Sequence, residues 1–181
     1  RISVRVLTEG AVLIALSLML SYAELRLWYQ GGSVDLVMVP LLIYALRWGA
    51  GWGVCAGFLF GFLEYILGNG FALTWTSILL DYSVAYAAVG LAGLFRGRTS
   101  GVIWGAVAAC LSRFIVHFIS GITIYRIIAP TEFFRMTFTS PWLYSLVYNG
   151  TYMLPNTILA VFVCALLAKP LGRYLRREDL N

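Results

Sequence analysis

The sequence predicts an all-α membrane protein, a bundle of six transmembrane helices with both termini on the cytoplasmic side. Three observations carry that expectation. Hydrophobic residues make up 61% of the chain and charged residues 12%, against about 25% charged in ordinary soluble domains. The apolar residues gather into six runs, most of them near the ~20 residues that cross a hydrocarbon core. Lys and Arg concentrate in the tails and in alternate connections, as membrane topology demands. The 181 residues suffice for a single integral membrane domain, residues 1–181, with no room for a second.

The first span runs from about Val4 to Ala23. Five more apolar runs follow it, so it reads as a spanning helix and not a removable signal peptide. Its Ala11 and Ala15 form a small-xxx-small pair that permits close helix approach. A polar stretch from Glu24 to Ser33 follows, with Trp28 and Tyr29 suited to the membrane interface. The second span, about Val34 to Trp48, is short, and Gly49 to Gly53 turns tightly into the third. That span ends near Gly68-Asn69-Gly70, and its Gly53, Gly57 and Gly61 mark a close-packing face within the bundle. The fourth runs from about Ala72 to Phe95 and stops at Arg96-Gly97-Arg98; the fifth runs from about Val102 to Tyr125. A loop from Arg126 to Pro141 leads to the sixth, about Trp142 to Ala168, which ends before Lys169-Pro170 and a basic tail. Cys55, Cys110 and Cys164 lie in apolar runs without CxxC spacing and read as small core residues.

The positive-inside rule orients the bundle. With the N-terminus cytoplasmic, the inside collects Arg1, Arg5, Arg47, Arg96, Arg98, Lys169, Arg173, Arg176 and Arg177; the outside holds Arg26, Arg126 and Arg135. The net charge of +5 is thereby explained by topology and does not point to nucleic acid. Depth then groups the polar residues stranded in apolar segments. Asp81 and His117 lie roughly 15 Å from the outer ends of the fourth and fifth helices, at 1.5 Å per residue. Arg113 is one turn below His117, Asn149 two turns inside the sixth helix, and Glu64 one turn from the outer end of the third. The cytoplasmic halves are expected to lack buried charge, with Glu9 solvated or paired to Arg5. Ionisable residues inside a membrane cost roughly 2.5–3.5 kcal/mol on insertion scales and mark functional cavities. The pattern implies a pocket that opens outward.

Arg113, His117 and Gly121 share one face of the fifth helix at i, i+4, i+8 spacing, with Gly121 leaving space beside the histidine for a ligand or another backbone. Phe71, Trp75, Tyr82, Tyr125, Tyr144 and Tyr148 stand in the outer halves of the helices. A carboxylate among aromatic faces suits a flat organic cation; Asp81 equally suits the donors of an aminopyrimidine. Structural readings stand beside these: an Asp81–Arg113 ion pair, a packing role for His117, an interfacial belt of aromatics including Trp28 and Trp142, and a Glu64 that snorkels to the surface. Convergence of several polar residues at one depth favours the pocket. There is no GxxxxGK[ST] phosphate loop, no HExxH and only one histidine, and Gly31-Gly32-Ser33 has no plausible base. No enzyme activity, metal or cofactor is expected.

Four segments carry a family resemblance: LTEGAVLIA at Leu7–Ala15, LLDYSVAYAAVGLAGLFRGRT at Leu79–Thr99, RFIVHFISGITIY at Arg113–Tyr125 and LYSLVYNG at Leu143–Gly150. In this order, and with matching hydropathy over nearly the whole chain, they resemble the thiamine-specific S component of energy-coupling factor (ECF) vitamin importers. The resemblance implies a high-affinity thiamine-binding subunit in a prokaryotic plasma membrane. It would work with a transmembrane coupling subunit and two ATPase subunits. It places the pocket acid on Asp81, followed by Tyr82, the stacking histidine on His117 and the basic residue on Arg113. Gly121, the sandwiching aromatic Tyr125 and the polar pair Tyr144 and Asn149 complete the set, with Ala11 and Ala15 meeting the coupling subunit. Glu64, Trp28 and Trp75 are further candidates for the site. This sequence departs from the family in having Asp81 for Glu, Tyr125 for Trp and Arg113 for Lys; the loop tryptophan expected near Gly31 is missing, and Glu64 has no counterpart. A related pyrimidine or thiazole ligand, or a solitary ion-coupled transporter using Asp81, Arg113 and His117, are the alternatives.

Overall fold

In the computed structural model the described residues are 3–27, 32–68, 72, 74–98, 100–124, 132–133 and 135–180, excepting the side chains at 132 and 136. Helices carry nearly all of them: α1 (Val4–Ser21), α2 (Met38–Trp48), α3 (Ala50–Leu67), α4 (Trp75–Phe95), α5 (Gly101–Thr123), α6 (Pro141–Ala168) and the short α7 (Gly172–Leu175). Two small antiparallel hairpins pair β1 (Leu25–Arg26) with β2 (Ser33–Val34), and β3 (Glu132–Phe133) with β4 (Met136–Thr137).

Five helices, α1, α3, α4, α5 and α6, are long and apolar enough to cross a membrane. The second span is shorter than the sequence suggested. Ser33 and Val34 are taken by the hairpin, and Asp35 folds back so that its carboxylate accepts from Ser33 Oγ (2.9 Å) and the Val37 N–H (3.0 Å). Helix α2 therefore starts at Met38 and has 11 residues, about 17 Å of rise. Ten of the 11 are buried. A helix apolar on all sides belongs at the centre of a bundle, and α2 forms much of the core with Leu42, Ala45 and Leu46.

The glycine face expected on α3 packs inside the molecule. Gly53 lies against Gly90, and Gly57 and Gly61 against the carbonyls of Tyr86 and Tyr82. Without side chains the backbones of α3 and α4 come into direct contact. Helix α4 is composite: an α-turn at Trp75–Ser77, a π-helical stretch at Ile78–Val84, an α-turn at Ala85–Val89 and a 3-10 turn at Gly90–Phe95. Thr74 caps its start, its hydroxyl accepting from the Ser77 N–H at 3.2 Å. The π stretch holds both Asp81 and Tyr82; such wide turns recur at functional sites.

One expectation is overturned at the end of the bundle that bears both chain ends. Arg47 is fully buried there. It donates to Glu9 from Nε (2.6 Å) and Nη2 (3.1 Å), to Asp179 from Nη1 (2.8 Å) and Nη2 (2.9 Å), and to the Tyr174 carbonyl. Glu9 pairs with Arg5 as well (2.8 Å) and accepts from Trp48 Nε1 and the Tyr174 hydroxyl. A buried charge is tolerable when every donor finds an oxygen. Those oxygens come from residues 38 and 132 positions away in sequence, which periodicity does not connect. Cys110 and Cys164 are buried as expected, whereas Cys55 lies exposed on the outer surface of the bundle.

Candidate ligand site

Helix α5 sets the site's frame. Arg113 and His117, one turn apart on α5, face α4 and α6 in the half of the bundle away from the chain ends. His117 Nδ1 meets Asp81 Oδ1 at 3.3 Å. The acid thus pairs with the histidine, and among the described residues no ion pair joins Asp81 to Arg113. The Arg113 guanidinium lies instead over the ring of Tyr86, 4.1 Å from its centroid, a geometry in which the ring's negative face attracts the cation.

Helix α6 supplies the third wall. The Asn149 amide donates to the Ser145 carbonyl (2.9 Å), Ser145 Oγ (3.1 Å) and the His117 carbonyl (3.4 Å), and its Oδ1 accepts from the Tyr152 hydroxyl at 2.6 Å. Ser145 Oγ in turn donates to the Phe118 carbonyl at 3.0 Å. The space at Gly121 is filled by this contact: a Cβ there would strike the Ser145 hydroxyl. Gly121 therefore seats α6 against α5 and leaves no opening beside the histidine. Along α6, Tyr144 and Tyr148 stack with centroids 5.7 Å apart, Tyr152 meets Tyr148 edge-on at 6.0 Å, and the Tyr152 ring stands edge-on to His117 at 6.1 Å. Phe133 closes on Tyr144 and Tyr148 from the β3 hairpin. On α4, Tyr82 is half-buried with its ring against Tyr65.

Buried polar atoms without a hydrogen-bond partner gather here. Among the described residues they are Glu64 Oε2, Asp81 Oδ2, Arg113 Nε and Nη1, His117 Nε2 and Ser120 Oγ. Folded proteins leave few such atoms, and a group of them signals a ligand or a chemical role. Glu64 is itself buried, 8% exposed, so it does not snorkel to the surface. Trp75 stands at 84% exposure on the outside of α4. Ala11 and Ala15 are exposed along α1. Trp28, Phe71 and Tyr125 lie outside the described residues.

Sequence reasoning passed over Tyr86, Tyr152, Ser145 and Asp35. The two tyrosines carry a readable signal: Tyr86 follows Tyr82, and Tyr152 follows Tyr148, by four residues on an already polar face. Asp35 is buried beside α6, its N–H donating to Asn156 Oδ1 at 3.0 Å; as an acid one residue inside the expected second span it carried the same signal as Asp81.

The arrangement offers an acid, a histidine and an arginine with free polar atoms beside an aromatic stack, suited to holding a flat, nitrogen-rich molecule. The family model described as thiamine transporter protein (Thia_YuaJ) matches residues 7–175. The chain is similar to the thiamine transporter ThiT of Bacillus subtilis, 35% identical over 162 residues that cover 82% of this chain and 81% of that protein. It is 29% identical over 178 residues to the thiamine transporter ThiT of Lacticaseibacillus paracasei, covering 90% and 86%. Its fold matches a solved structure of ThiT from Listeria monocytogenes with a TM-score of 0.81 at 21% identity, over 94% of this chain and 96% of that one. The chain is a transport protein rather than an enzyme, and it belongs to the thiamine transporter protein family.

Proposed function

We propose that this chain is the thiamine-binding S component of an ECF-type importer, a six-span plasma-membrane protein with both termini cytoplasmic. Its site takes thiamine from the outside. The observation that carries this reading is the convergence of free polar atoms on Asp81, Arg113 and His117 beside the α6 tyrosines. Asp81 Oδ2 accepts from the amino group of the aminopyrimidine, while its Oδ1 orients His117. His117 and Tyr125 flank the thiazolium, a cation that gains from aromatic faces. Tyr82, Tyr144 and Asn149 complete the hydrogen bonding, Arg113 closes the deep end, and Gly121 lets α6 approach close enough to contribute. The exposed Ala11–Ala15 stripe of α1 docks on the transmembrane coupling subunit, which two ATPase subunits drive; small residues let helices approach closely in lipid.

Isothermal titration of the purified protein with thiamine and its phosphates tests the reading. A dissociation constant below micromolar for thiamine is expected; absence of binding at that level overturns it. Uptake that persists in cells lacking the ATPase module would favour a solitary ion-coupled transporter instead.

A further inference from the structure

Glu64 is the buried acid that the family motif does not explain. It occupies the last turn of α3 at 8% exposure, and its Oε2 has no partner. A carboxylate sequestered from water is costly unless a positive charge compensates it. Its direction follows from helical spacing. Gly53, Gly57, Gly61 and Glu64 fall on one face of α3, and the three glycines touch α4 at Gly90, Tyr86 and Tyr82 in turn. Glu64 is the next step along that seam, which leads to the stretch of α4 holding Asp81.

The groups around Glu64 come from four directions. The Ser21 hydroxyl of α1 is within hydrogen-bonding reach of its carboxyl; Glu24, Asp35 and, from α5, Arg113 lie within electrostatic reach. Two of those three charges are negative, so the surroundings favour a cation. The other acids are otherwise engaged: Asp35 accepts from Ser33 and Val37, and Glu24 pairs with Arg26. Arg113 directs its guanidinium at the Tyr86 ring.

We propose that Glu64 is the counter-ion for the ligand's permanent positive charge, a second carboxylate of the site distinct from Asp81. The proposal rests on the thiamine reading above. Thiamine carries its amino donor and its charge on two different rings joined by one methylene. Acids on adjacent helices, Asp81 on α4 and Glu64 on α3, suit that division.

Titrating Glu64→Gln with thiamine and with 3-deazathiamine, its neutral carbon isostere, separates charge from shape. Glu64→Gln is expected to weaken thiamine at least tenfold and to change the neutral isostere less than threefold. Glu64→Asp, which keeps the charge, is expected to retain the preference for the cation and serves if the glutamine variant does not fold. Equal losses for both ligands, no loss for either, or a lost preference in Glu64→Asp overturn the assignment. If the unmutated protein fails to bind thiamine, the thiamine reading falls and this proposal with it. If it binds and Glu64→Gln does not discriminate, only the role of Glu64 falls.

Discussion

At the scale of single residues, the site is a set of half-satisfied polar groups. Asp81 spends Oδ1 on His117 and leaves Oδ2 free. Substituting Asp81→Asn keeps the shape but removes the charge and replaces one acceptor with a donor. A donor facing a ligand's amino group is repulsive, so thiamine binding is expected to weaken by at least ~1.4 kcal/mol, about tenfold. Isothermal titration reads this directly, and unchanged affinity takes Asp81 out of the site. Much of this cluster was legible in the sequence, because charged and polar residues in apolar runs stand out by their cost. Their pairing was not. Spacing fixed Arg113 and His117 on one face of α5, but which of them Asp81 would meet depends on the rotation of α4, and its π stretch sets that rotation. Gly121 was legible only in part for a related reason: a missing side chain records close approach without saying whether a ligand or another helix approaches.

At the scale of elements, the seam between α3 and α4 carries the site's geometry. A Cβ at Gly61 would collide with the Tyr82 carbonyl group, one residue from Asp81, while a Cβ at Gly51 meets nothing within 4 Å. Gly61→Ala is therefore expected to cost about 1–3 kcal/mol of stability through overpacking and to weaken thiamine binding by displacing Asp81. Gly51→Ala lies on the same helix and is expected to preserve both, gaining a few tenths of a kcal/mol up to ~1 from helix propensity. Thermal unfolding in detergent, with titration on the same samples, checks the pair; equal behaviour of the two variants contradicts the seam. Glycine spacing made this face readable in advance. The shortness of α2 was harder to see, because Val34 continues its apolar run and only the hairpin pairing of Ser33 and Val34, together with the turn at Asp35, removes them from the helix.

At the scale of the whole molecule, the two ends of the bundle hold charge for different purposes. Around the site, polar atoms lack partners; at the opposite end, Arg47 is saturated by Glu9 from α1, Asp179 from the C-terminal segment and the Tyr174 carbonyl. Arg47 thereby fastens the tail and the start of α1 to the central helix α2. Its loss would leave Glu9 and Asp179 with Arg5, itself half-exposed, as their remaining ion-pair partner and would remove the donors that join them to α2. Arg47→Met is accordingly expected to lower the thermal midpoint sharply. Thiamine affinity in the folded fraction should stay unchanged, since none of these residues reaches the site. The hydrogen bond from Arg47 holds the Asp179 carboxyl below the usual aspartate range. A group whose pKa falls on folding adds stability above its unfolded value, about 3.9, and loses it as pH drops through the lower folded value. Acidification below about pH 4 should therefore loosen the C-terminal segment, and Asp179→Asn should mimic that loosening at neutral pH. Limited proteolysis of the tail across pH 3–7 measures both. A tail equally resistant at every pH in the unmutated protein, or an Asp179→Asn tail as resistant as the original, would show that the Asp179 carboxylate does not fasten the tail and that the Tyr174 contacts with Arg47 and Glu9 hold it instead.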